Sequence, residues 1–127
     1  MPKINKYENI DNVEREAKKD LIDRHSPFIH CGDTAVAGEP FEVTVKMGKE
    51  YTHPDDFDHF IEGISLFNGD TLLAKATYVP GTLGNVKAHN TTTFTIIPTG
   101  KKLKLNAQAY CTKHGIWEGT EVEVAVS

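Results

Sequence analysis

This sequence is poor in the residues that staple small secreted domains. Two cysteines, Cys31 and Cys111, stand in 127 residues. That is too few for a disulfide scaffold, and in a cytoplasmic chain such thiols are expected free or on a metal. Long apolar runs are also missing. None approaches the roughly 18 residues of a membrane-spanning helix, so no membrane partner is expected. The start, Met1-Pro2-Lys3-Ile4-Asn5, leads into charged sequence rather than an apolar stretch. No signal peptide is therefore expected, and the cytoplasm is the expected location. Positive charge is short as well: 14 Lys and Arg face 18 Asp and Glu, a net charge of −4. A nucleic-acid partner needs a basic footprint, so that class is excluded. Internal repeats and low-complexity segments are absent.

What is present fits one globular domain. Hydrophobic residues make up 39% and charged residues 25% of the chain, ordinary values for such a fold. The length supports one core and not two, so residues 1–127 are read as a single domain with residues 1–24 as an arm and short helix. Asp11 or Asn12 caps that helix, which runs through residues 13–19. Pro27 drives Ser26 out of helical geometry, which puts His25 in an extended or loop segment.

From Phe28 onward the pattern is β. Residues 41–47 alternate apolar and polar with period two, as a half-buried strand does. Residues 60–67 and 71–78 flank Asn68-Gly69-Asp70, a strong hairpin signal. Further strands are expected over residues 91–97, 103–110 and 122–126. The sum is an all-β, immunoglobulin-like β-sandwich of about seven strands with a short N-terminal helix.

Histidine is the special residue in surplus, at positions 25, 30, 53, 59, 89 and 114. Cys111 and His114 form a C-x-x-H, a spacing that suits a tight turn around a metal, with Gly115 letting the chain leave. His53 and His59 are six residues apart. A continuous strand would hold them about 20 Å apart at about 3.3 Å per residue, too far for ligands that each sit about 2 Å from one ion. Shared ligation therefore needs a bend, which Pro54-Asp55-Asp56 supplies. Taken singly, each of these signals is also met by loop histidines and a buried thiol. Together they fall at strand ends and loops, where a rigid sandwich carries functional groups.

Imidazole suits iron, copper, nickel and zinc, and thiolate favours softer or redox-active use. A blue-copper carrier would need a methionine soon after His114, and neither Met1 nor Met47 fits. Zinc stapling the loops is the other alternative. If His25, His53, His59 and His114 meet Cys111, four imidazoles and one thiolate exceed the closed four-ligand site of structural zinc.

The set His25-Ser26-Pro27, His53-Pro54 with His59, and Cys111-x-x-His114-Gly115-x-Trp117 resembles the superoxide reductases of the neelaredoxin type, over roughly residues 20–126. The resemblance implies an enzyme that reduces superoxide to hydrogen peroxide by one electron, without oxygen release, at one mononuclear non-haem iron per chain. It implies His25, His53, His59 and His114 as equatorial ligands, the last through Nδ1 and the others through Nε2, and Cys111 as axial thiolate. It further implies an electron donor such as rubredoxin, and a homotetramer. The family's usual Glu-Lys before the first histidine is replaced here by Asp23-Arg24. Arg24 keeps the positive charge that attracts superoxide and orients a water. Asp23, one methylene shorter than glutamate, takes a sixth-ligand or supporting role. The four-cysteine rubredoxin-like domain of some members has no counterpart, so a one-iron form is expected. His30 and His89 match no motif position and are read as surface residues, Cys31 as a half-buried thiol, and Lys46 and Lys49 as solvated. Trp117 and Tyr110 are expected to pack around the thiolate.

Overall fold

Alternation of inward and outward side chains sets the architecture. The computed structural model describes residues 25–49, 60–79 and 91–127. The expected helix at 13–19, Asp23, Arg24, His53, His59 and His89 lie outside the described residues. Among the described residues there are nine strands. β1 (Pro27–His30), β3 (Phe41–Met47) and β6 (Thr91–Ile96) form one antiparallel sheet in the order β1-β3-β6. β2 (Thr34–Ala35), β9 (Val122–Val126), β7 (Leu103–Cys111), β4 (Ile61–Asn68) and β5 (Thr71–Thr77) form the other, in that order, and β8 (Gly115–Glu118) also pairs with β7. The all-β expectation holds. β2 and β8, of two and four residues, are additions to the strands read from sequence, because runs so short carry no readable period.

β7 is the spine of the larger sheet. Leu103, Leu105, Ala107, Ala109 and Cys111 all point inward and are buried. They pack with Val43, Val45 and Met47 of β3 and with Ile61, Ile64 and Leu66 of β4 in one hydrophobic core. One edge of β7 pairs with β4. The other is shared end to end by β9, at Leu103–Leu105, and β8, at Gln108–Cys111.

The β4–β7 register shifts between Ile61 and Gly63. This bulge changes the inward parity of β4, so that Ile61 and Ile64, three residues apart, are both buried. Ile61 then stands opposite Cys111. Beyond it, the Thr112 amide donates to the Phe60 carbonyl at 3.0 Å and the Phe60 amide to Thr112 Oγ1 at 3.2 Å. The ladder is thus held closed up to the turn that follows Cys111.

Leu105 is fully buried at the centre of this core. Replacing Leu105 with Ala should cost about 2–5 kcal/mol of folding stability through lost transfer energy and a residual cavity. Urea unfolding of the two proteins measures this, and a loss well under 1 kcal/mol would contradict a close-packed core at β7.

Candidate metal centre

Cys111 is the last inward residue of β7, and the period of the strand delivers its thiol to the end of the core, where it is fully buried. Thr112, Lys113 and His114 then turn the chain back into β8. Gly115 closes the turn with φ +86°, a left-handed conformation that glycine adopts without a Cβ penalty. The turn is so tight that the His114 backbone amide donates to Cys111 Sγ at 3.4 Å. His114 Nδ1 lies 3.5 Å from the same sulfur.

His25 reaches this place from the other sheet. His25 itself is helical rather than extended or in a loop as expected, because Pro27 restricts only the residue before it, and Ser26 is where the chain leaves helical geometry. Pro27 opens β1 opposite Met47, a position where a strand tolerates proline. The Gly48 amide donates to the Ser26 carbonyl at 3.0 Å. His25 is 1% exposed, and its Nε2 lies 3.1 Å from His114 Nδ1. The two imidazoles meet edge to face, with centroids 4.8 Å apart and planes at 81°.

One donor atom from each of His25, Cys111 and His114 lies within 4.8 Å of the others. Two nitrogen ligands at right angles, each about 2.1 Å from one ion, stand about 3.0 Å apart. The ring nitrogens, at 3.1 Å, match that spacing. The 3.5 Å sulfur–nitrogen distance suits a metal–sulfur bond of about 2.3 Å and a slightly wider angle. His25 and Cys111 are buried and His114 is half-buried, and polar groups taken out of water in this way are stabilised when a proton or a cation joins them. The donor set of two nitrogens and one sulfur therefore fits a borderline-to-soft transition metal.

Of the sequence candidates, the structure brings together His25, Cys111 and His114. His53, His59, Asp23 and Arg24 lie outside the described residues. Trp117 has contacts with both histidines: its indole stacks on His25 at 4.7 Å and 19°, and its Nε1 donates to the His114 carbonyl at 3.2 Å. Tyr110 departs from expectation. It precedes Cys111 on β7, so alternation turns it to the outer face, where it is 43% exposed. His30 is exposed, and so are Lys46 and Lys49; the Lys49 ammonium sits 4.6 Å from the centroid of the Phe28 ring. Cys31 is half-buried and bonded to no other cysteine. Burial, and then the negative charge of Asp33, push its thiol pKa up, which disfavours the thiolate that a metal needs.

Sequence reading did not find Gly119. A Cβ there would stand 2.1 Å from the Pro27 carbonyl oxygen, so the end of β8 presses on the backbone beside His25. No local pattern announces this, because the partner is distant in the chain.

A family model described as Desulfoferrodoxin matches residues 13–120. The neelaredoxin of Megalodesulfovibrio gigas is 31% identical, with 78% of this chain and 85% of that protein covered. The superoxide reductase of Pyrococcus furiosus is 32% identical, with 76% and 85% covered. Among solved structures, the superoxide reductase (neelaredoxin) of Ignicoccus hospitalis superposes with a TM-score of 0.73 at 26% identity, covering 98% of this chain and 95% of the other.

Proposed function

The chain belongs to the desulfoferrodoxin family, and from that premise we propose that it is a superoxide reductase with one iron per chain. The observation that carries this reading is the convergence of His25 Nε2, His114 Nδ1 and Cys111 Sγ. His53 and His59 complete the ligand set, giving four histidines and one cysteine within a single domain. In the net reaction one superoxide, one electron and two protons give one hydrogen peroxide. Iron, when bound, supplies the electron and an open position for superoxide, and a donor such as rubredoxin restores the electron afterwards.

The protein's own residues do the rest. Cys111 holds its sulfur in the dry end of the core, where a thiolate keeps its electron density for the metal rather than for water. The backbone amide of His114 donates to that sulfur and moderates its charge. Burial of His25 keeps one wall of the site closed to solvent. Arg24, adjacent to His25 in the chain, draws the superoxide anion in and orients the water that delivers protons. Its guanidinium stays charged throughout and is a weaker proton source than an ammonium, so water carries the protons. Asp23, two residues before His25 in the chain, would serve as a further iron ligand or as a supporting group. The working form is a cytoplasmic homotetramer.

Three outcomes test this. Oxidised protein should carry a visible sulfur-to-iron charge-transfer band that Cys111→Ser abolishes; a band that survives the substitution rejects Cys111 as ligand. Superoxide should be consumed rapidly with no oxygen release. Arg24→Ala should slow that consumption, and more so at low ionic strength, where steering is least screened. Oxygen release in proportion to superoxide would show dismutation instead, and an unchanged rate at both salt concentrations would remove Arg24 from the mechanism.

A further inference from the structure

We propose that Trp117 is a positioning residue that fixes the two described histidine donors relative to each other. The inference rests on reading His25 and His114 as metal ligands. These histidines are 89 positions apart in the chain and arrive from different sheets, so no local backbone geometry aligns their rings. The torsion that orients an imidazole plane is soft and roughly two-fold. Trp117 limits that freedom at the His25 ring and fixes the backbone from which the His114 ring departs. It is 3% exposed, and its ring lies flat on His25, centroids 4.7 Å apart and planes 19° from parallel. The same indole donates from Nε1 to the His114 carbonyl at 3.2 Å, which holds the Cys111–His114 turn closed.

β8 itself is held against the His25 segment. Trp117 and Gly119 are two residues apart, a spacing that puts them on one face of an extended chain, and both are buried. Glycine at 119 leaves the Pro27 carbonyl in contact with the backbone of this segment, where a Cβ would collide at 2.1 Å. The Gly119 amide also donates to the Ala107 carbonyl at 3.1 Å. The indole is thus anchored by its own strand, and its two contacts transmit that anchoring to the donors. Pre-alignment spares the metal the cost of ordering the rings.

Trp117 is also the one tryptophan of the sequence, so its fluorescence reports on this place alone. Anaerobic titration of the metal-free protein with Fe(II) or Co(II) should quench it to an end point that coincides with metal uptake. Metal uptake with unchanged emission would overturn the proposal. Release of the metal to a chelator should be about 10- to 100-fold faster in Trp117→Leu, as for other partners that orient ligands. Trp117→Phe, which keeps a ring on His25 and loses the N–H, should fall between Leu and wild type. The charge-transfer band of the oxidised iron form should shift in the same order, which a purely stabilising side chain would not cause. Wild-type release and an unshifted band in both variants overturn the proposal; if the Leu variant does not fold, the Phe variant alone decides on the same criteria. Failure of the wild-type protein to take up either metal overturns the ligand reading, and the proposal with it.

Discussion

The structure depends on the register of one strand. β7 turns five alternate side chains into the core, and the fifth is the sulfur of Cys111. A slip of one residue would bring Tyr110 inward and expose the thiol. The bulge in β4 and the two hydrogen bonds between Phe60 and Thr112 hold the ladder in place up to that last position. Hydrophobic burial and the presentation of a candidate metal donor are therefore one constraint. The energy that keeps Leu103, Leu105, Ala107 and Ala109 out of water also fixes where the sulfur stands.

The second requirement is that the two sheets meet at the same end. His25 enters with Pro27 at the start of β1, and β1 is bound to β3. His114 enters from the turn after β7. Their nitrogens lie 3.1 Å apart, and Trp117 and Gly119 pack against the His25 segment at the same place. A cation between these groups would join both sheets, so metal binding and closure of the sandwich reinforce each other.

Much of this could be read from the sequence. Strand alternation at 41–47 and 103–110 is strong because each strand has one buried face, and the Cys111-x-x-His114-Gly115 turn is local enough to show in the spacing. The proximity of His25 to His114 follows only from the motif as a whole, since contacts across 89 positions leave no local periodicity. The place of Tyr110 was open to deduction: it adjoins an inward cysteine on a strand, so it must face out. The stacking of Trp117 on His25 and the close approach at Gly119 were not, because both depend on how β8, a strand too short to carry a pattern, docks on a distant segment.

The central claim is that one iron is held by four imidazoles and a single thiolate. X-ray absorption at the iron edge of the loaded protein tests it most directly. The account predicts one sulfur neighbour with the remaining scattering from imidazole nitrogens. A spectrum with no sulfur neighbour, or with several, would contradict it.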